Sequence, residues 1–395
     1  MTSTSDSRHG LSSPRVCPSL SADAVMRMIP ASIALCGSLV ASSLSMAQSH
    51  VLRDIEAPSV GLLNVQALAL NPANGKLYAV DTTAGTVSIV DGMTHLTSAV
   101  KVGASPVALT VNTATNRVYV ANNGSGTVSV LDGSSNAVVA TVSVGRTPYV
   151  VAANSVTNKI YVSNTFNNLI TVIDGTTNGI RTVDAGSVDK ILIDTKRNKV
   201  YLLSYESSAL TVLDGTNDTV VHIPAGKMHL WGFGLDEGTS EIYVSRMENA
   251  DVIALDENLD SPVAIPTGKI PCAIAVNPRT NMVYVVNYQD ESVTVIDGTR
   301  HTAVATVAVE AHPQAIAVDP NTNLIYVANM HGNSVTVIDG ATNRRLTTLR
   351  AGISPYAIAV DSKNAMVYVS DLDRRSLTQI DVHALREYSL SPQKR

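Results

Sequence analysis

"TNLIYVANMHGNSVTVIDG", residues 322–340, has a near twin in "TNRVYVANNGSGTVSVLDG", residues 115–133. Both open on Thr-Asn, centre on Tyr-Val-Ala-Asn and close on Asp-Gly, and they differ between centre and end. Fixed ends around a changing middle mark a repeated structural unit, so the period decides the fold. With the tyrosine as ruler, copies fall at Tyr78, Tyr119, Tyr161, Tyr201, Tyr243, Tyr284, Tyr326 and Tyr368, spaced by 40 to 42 residues.

Seven positions before each tyrosine stands Asn71, Asn112, Asn154, Asp194, Asp236, Asn277, Asp319 or Asp361. Asn and Asp tolerate turn geometry and cap the backbone with their own side chains. About thirteen positions after it comes Asp-Gly, as in Asp91-Gly92 and Asp297-Gly298, with Asp256-Glu257 and Asp381-Val382 as imperfect copies. Between these turn signals run segments such as "AIAV", "IYVAN", "VTVID" and "VATVAV", each one strand long. The unit is therefore four antiparallel strands. The composition agrees, since only 4% of residues are aromatic and 15% charged, with Val, Thr, Gly and Asn prominent.

Such a sheet is apolar on both faces, as Ala315-Ile316-Ala317-Val318 shows, and cannot stand alone in water. Stacking copies in a closed ring buries the faces and leaves no open end. The expectation is all-β: a β-propeller of eight four-stranded blades over residues 48–390, its first inner strand starting near Leu63. The segment "HVLRDIE", residues 50–56, has the length of an outer strand, whereas "VHALREYSL" after Asp381 has weak strand character. The N-terminal strand is thus expected to complete blade 8.

Tyr119-Val120-Ala121-Asn122, Tyr161-Val162-Ser163-Asn164, Tyr284-Val285-Val286-Asn287 and Tyr326-Val327-Ala328-Asn329 resemble the Tyr-Val-Thr-Asn signature of YVTN-repeat β-propellers, found in bacterial and archaeal exported and surface-layer proteins. The resemblance covers nearly all of residues 51–384. It implies a propeller and says little about chemistry. The best-known members have seven blades, so eight is a departure, and the weak last unit leaves seven as the alternative count.

Residues 1–47 read as a leader. Arg27 precedes a long apolar run that ends in small residues around Ser45-Met46-Ala47, as in an exported precursor cleaved after Ala47, with an uncleaved membrane anchor as the alternative. Translation starting at Met1, Met26 or Met28 would each keep this run. The mature chain is then periplasmic or secreted. It carries 25 basic and 31 acidic side chains, a net charge of −6, which argues against nucleic acid as a partner. Of three cysteines only Cys272 remains, so no internal disulfide can form. Residues 391–395 read as a disordered tail.

In a propeller the loops leading into the inner strands and those joining second to third strands open on one face. The Asp-Gly and Thr-Asn turns open on the other. The twins vary in the second–third loop, so the first face is the candidate binding surface. Aligning the units there gathers Gln66, Arg146, Tyr149, Asp189, Lys190, His229, Trp231, Lys269, His312, Gln314 and Tyr356 around the axis. Phe166, Tyr205, Glu206, Arg246, Glu248, Tyr288, His331, Asp373 and Arg374 form the rim. Aromatic and polar groups converging on one funnel suit an unidentified small molecule, glycan or protein.

Catalytic constellations are missing from the sequence. No Cys-x-x-Cys-His, His-Glu-x-x-His, Gly-x-Ser-x-Gly or P-loop pattern occurs. His229 and His312 come from units that are not neighbours, so no metal site is expected, and no cofactor. The run Gly232 to Gly238 has the wrong spacing for a dinucleotide fingerprint and reads as an inner strand whose missing side chains make room for Trp231. Quinoprotein alcohol dehydrogenases resemble this ring in architecture, but they carry a tryptophan in most blades and this chain has one. The expected function is a monomeric, non-enzymatic binding or scaffold protein. The alternative is a hydrolase or lyase similar to propeller lactonases, with His229 or His312 as base and Asp189, Arg146 or Glu248 orienting it or stabilising charge.

Overall fold

A computed structural model describes residues 51–56, 68–164, 167–226, 229–256, 258–259, 261–372 and 376–390. The leader, the tail, Gln66, Phe166, Asp373, Arg374 and the expected strand start near Leu63 lie outside the described residues. Among the described residues the strands form eight separate four-stranded antiparallel sheets. Seven sheets take their strands in sequence order. The eighth joins Pro355–Asp361, Met366–Asp371 and Ser376–Asp381 to the N-terminal strand Leu52–Glu56. Blades are numbered here by their tyrosines, from Tyr78 in blade 1 to Tyr368 in blade 8.

The tyrosine column shows why the repeat holds a ring together. All eight are at most 1% exposed, each on the second strand of its sheet. At three interfaces the ring is seen to span into the next blade and end at the glycine of that blade's Asp-Gly turn, whereas blades 5 and 8 carry Asp256-Glu257 and Asp381-Val382 in its place. A methyl group at Gly215 would sit 2.8 Å from the Tyr161 hydroxyl, and one at Gly298 would sit 2.8 Å from that of Tyr243. At Gly92 it would sit 2.6 Å from the hydroxyl of Tyr368, the contact that closes blade 8 onto blade 1. At these interfaces the repeated Tyr and the repeated Gly are the two halves of one contact. Only glycine lets the turn backbone come this close.

The Asn/Asp column also works across blades. Asn71 Oδ1 accepts from the Ala73 N–H at 3.1 Å, closing its own turn, while Asn71 Nδ2 donates to Asn116 of blade 2 at 2.6 Å. Asn112, Asn154 and Asn277 repeat the link to Asn158, Asn198 and Asn323. Asn116, Asn158, Asn198 and Asn323 occupy left-handed backbone, which asparagine accepts readily.

The first and last described strands meet where the repeat degrades. Leu52 to Glu56 pair with Ile380 to Ser376, so both ends of the chain build blade 8. Asp381, followed by Val382 instead of glycine, keeps the side-chain contacts of its siblings but leads into a helix in place of a fourth strand. Its carboxylate accepts from the N–H groups of His383 and Ala384, at 2.8 and 3.1 Å, and starts the helix Val382–Leu390. Val382 and Leu385 are buried beside Val51 and Ile380. Here the weak strand character of the last segment resolves into a capping helix.

The glycines of the inner strand Leu230–Asp236 serve packing between blades. A methyl at Gly232 would lie 2.5 Å from the carbonyl oxygen of Cys272, and one at Gly234 would lie 2.9 Å from Ile274. They let blade 5 approach blade 6 closely, whereas the sequence reading had them making room for Trp231.

Candidate functional site

The upper face is built on a repeated backbone device. Ser105, Thr147, His229, Ile270, His312 and Ser354, at equivalent positions before the inner strand, all have φ between 49° and 68°. This left-handed residue aims its carbonyl across the face at the second–third loop of its own blade. The N–H of Asn123 reaches Ser105, that of Met247 reaches His229, that of Tyr288 reaches Ile270, that of Met330 reaches His312 and that of Leu372 reaches Ser354, all at 2.9 to 3.2 Å. Two loops separated by about eighteen residues are thereby clamped in each of these blades, and their side chains meet.

In blade 5 this clamp makes a cluster. His229 Nδ1 lies 2.7 Å from Glu248 Oε1, and its ring lies 4.9 Å from that of Tyr205 on blade 4. Tyr205 also meets Trp231 edge-on, centroids 4.7 Å apart. Lys190 of blade 4 donates to the Trp231 carbonyl at 2.5 Å, with its ammonium 5.5 Å from the indole centroid. The Asp189 carboxylate accepts the Tyr205 N–H at 2.7 Å. Burial, followed by the nearby Asp189 charge, holds the Tyr149 phenol above its ordinary range.

Blade 7 repeats the histidine–tyrosine contact but not its surroundings, with Gln314 in the place of Trp231 and His331 in that of Glu248. His312 lies tilted against Tyr288 of blade 6 at 4.8 Å, as His229 does against Tyr205, but its partner across the clamp is His331, with Nδ1 atoms 2.9 Å apart. Burial, reinforced by the neighbouring His331, lowers the His312 pKa below its ordinary value.

Asp189, Lys190, Tyr205, His229, Trp231 and Glu248 thus converge between blades 4 and 5, and Tyr288, His312 and His331 between blades 6 and 7. Gln314 and Tyr356 are at the same face but buried, 6% and 8% exposed. Arg146, Lys269 and Glu206 are exposed. Arg246 turns away. It occupies the place of the Asn in Tyr-Val-x-Asn and forms a two-pronged ion pair with Asp251 at 2.7 and 2.5 Å. The column position of Arg246, three after Tyr243, was the available sign of that structural role.

Sequence reasoning missed a cluster on the lower face. Glu241 is 8% exposed and accepts from the Tyr243 hydroxyl at 2.6 Å, with His301 Nε2 of blade 6 at 2.5 Å. Thr239, Asp256, Asn281, Gly298 and Thr299 complete the lining of a cavity of ≈ 360 Å³. The signal was legible in hindsight. Glu241 stands where blades 1 to 4 place Lys76, Arg117, Lys159 and Lys199. There Lys76 and Lys159 donate to the carbonyls of Gly133 and Gly215 in the next blade.

No family model matches the chain. No curated protein matches its sequence. Solved structures do match the fold. The NirN dihydro-heme d1 dehydrogenase in complex with DHE has a TM-score of 0.68 at 15% identity, covering 85% of this chain and 76% of that one. The chain is an eight-bladed β-propeller. Sqt1 of Saccharomyces cerevisiae has a TM-score of 0.69 at 9% identity, covering 84% and 98%. Hydrazine synthase of Kuenenia stuttgartiensis has a TM-score of 0.54 at 20% identity, covering 72% and 97%. At these identities the likeness shows the fold alone. Among the described residues no helix is long and apolar enough to cross a membrane.

Proposed function

We propose that this is an exported binding propeller of the YVTN-repeat kind, monomeric, holding a small molecule or glycan on the upper face over blades 4 to 7. The observation that carries this reading is the concentration of irregular side chains there: the Tyr205–His229–Trp231 cluster with Lys190 and Glu248, and the Tyr288–His312–His331 cluster. Indole and phenol rings set at an angle offer apolar faces to a planar or sugar-ring ligand, with an ammonium and a carboxylate beside them to orient it. The residues of the lower-face turns mostly satisfy one another. The similar solved structures include a synthase and a dehydrogenase, so the ring itself selects no chemistry.

The chain has one tryptophan, so its emission reports Trp231 alone. Titration with a panel of glycans and metabolites is expected to change that emission for the true ligand class, and Tyr205→Ala is expected to weaken the response. A partner that binds through the Asp-Gly face with no emission change would overturn the assignment. Export rests on residues 1–47, and the N-terminal sequence of the secreted protein tests it.

One geometry favours a second reading, a hydrolase or lyase. With neutral His229 donating from Nδ1 to Glu248, its Nε2 carries the lone pair, the arrangement of a base held by a carboxylate. Lactone hydrolysis and polysaccharide cleavage, assayed beside His229→Ala and His312→Ala, test it. Activity indifferent to both changes would remove this reading.

A further inference from the structure

The two histidines of blade 7 face each other through Nδ1 at 2.9 Å, with ring centroids 4.3 Å apart and planes at 65°. From the geometry we infer that His312 and His331 form a chelating site for a divalent late transition metal, copper(II) in preference to zinc(II). From the sequence no metal site is expected, because His229 and His312 come from units that are not neighbours. The relevant partner is the second imidazole in the same blade, brought close by the loop clamp.

The distance discriminates between metals. Imidazole nitrogens bind such ions at about 2.0–2.1 Å. Adjacent corners of a tetragonal copper(II) site then lie about 2.9 Å apart, whereas two corners of a tetrahedral zinc site lie about 3.4 Å apart. The observed separation matches the first. Copper(II) is also the strongest binder among divalent ions for nitrogen donors.

The frame holds the donors before any metal arrives. His312 is fixed in left-handed backbone at φ 52°, its carbonyl bonded to the Met330 N–H at 2.9 Å, and Gly332 bonds Ala311 at 3.1 Å. These bonds flank His331 on both sides. The Tyr288 ring lies against His312 at 4.8 Å, and the Glu291 charge acts on the same imidazole, favouring a cation there. His331 is exposed, so the site opens to solvent. Among the described residues no third His, Cys, Asp or Glu joins the pair, so water completes the coordination. On binding, the proton shared between the two Nδ1 atoms gives way to the metal, and its imidazole carries a proton on Nε2 instead. The inference concerns the blade 7 part of the proposed upper-face site, and copper binding by these two rings is read separately from any ligand at the Tyr205–His229–Trp231 cluster.

The test is calorimetric titration of the full chain with copper(II), nickel(II) and zinc(II) chlorides, beside electron paramagnetic resonance of the copper form. One copper per chain is expected, tighter than nickel or zinc, with hyperfine coupling to two nitrogens. His312→Asn, which keeps a residue suited to left-handed backbone, and His331→Ala are each expected to weaken copper at least tenfold. His229→Asn, whose clamp holds a carboxylate, is expected to leave copper unchanged. Circular dichroism confirms that each variant folds, and the resonance of the unmodified chain decides independently of them. Copper affinity unaffected by either folded variant, coupling to a single nitrogen, or zinc bound more tightly than copper would overturn the site.

Discussion

Raising the pH should unfold this protein within a narrow window set by its tyrosine ring. Burial holds the phenols of all eight repeat tyrosines above their ordinary value of 10.0, and brings those of Tyr161, Tyr201, Tyr284 and Tyr368 to about 12. A phenol that ionises at 10 when unfolded but at 12 when folded contributes stability that is complete below pH 10 and disappears as the pH rises to 12. Two units correspond to about 2.7 kcal/mol for each tyrosine, and none is more than 1% exposed, so solvent screening removes little of it. Four such groups together oppose folding by on the order of 10 kcal/mol near pH 12, comparable with the whole stability of a domain. Ionisation and unfolding must therefore coincide. The assay follows phenolate absorbance and far-ultraviolet circular dichroism along one alkaline titration. The absorbance from eight of the thirteen tyrosines is expected to rise together with the loss of sheet signal, cooperatively, between pH 10 and 12. If all thirteen ionise near pH 10 while the sheet signal stays intact, the tyrosines do not sit sealed between blades, and the account of the interface is wrong.

Four further outcomes follow from the same packing. Tyr243→Phe leaves the buried Glu241 carboxylate short of a donor, and thermal or urea unfolding should show a loss of ~2 kcal/mol. Gly232→Ala forces a methyl to within 2.5 Å of the Cys272 carbonyl and should cost about 1–3 kcal/mol, whereas Gly186→Ala meets no atom within 4 Å and strains only its own backbone at φ 76°. The Lys199 ammonium holds the Asp214 carboxyl at about 2, below the ordinary 3.8, so this pair stabilises above pH 4 and ceases to do so as the pH falls to 2. Lys199 is 35% exposed, which reduces the apparent ~2.4 kcal/mol to ~1 or less, and acid titrations of Lys199→Met against the parent should converge below pH 2. Deleting residues 1–56 bares Ser376–Asp381 as an edge strand, and a lower melting temperature with concentration-dependent association, read by light scattering, should result.

Part of the upper face could be read in advance, since the loops that vary between units identify themselves. The pairing inside it could not. Nothing in the spacing of His312 and His331 distinguishes them from His229 and Glu248, because contact depends on a left-handed residue returning its carbonyl to the facing loop. The destination of Arg246 was hidden for a related reason: its partner Asp251 lies five residues on, across a hairpin whose register sets the distance.

The sequence by itself determined the period, the four strands of each unit, the turns between them and the use of the N-terminal strand to close the ring. These follow from local chemistry repeated eight times, since Asn, Asp and Gly dictate turns and alternating small and branched residues dictate strands wherever they occur. Only the tertiary structure decided what the columns are for and where they fail. Tyr161 is explained by Gly215, and Glu241 by His301, and each pair joins neighbouring blades across more than fifty residues of chain. Such contacts arise from the angle at which one rigid sheet packs on the next. That angle is a property of the closed ring, and no single unit contains it.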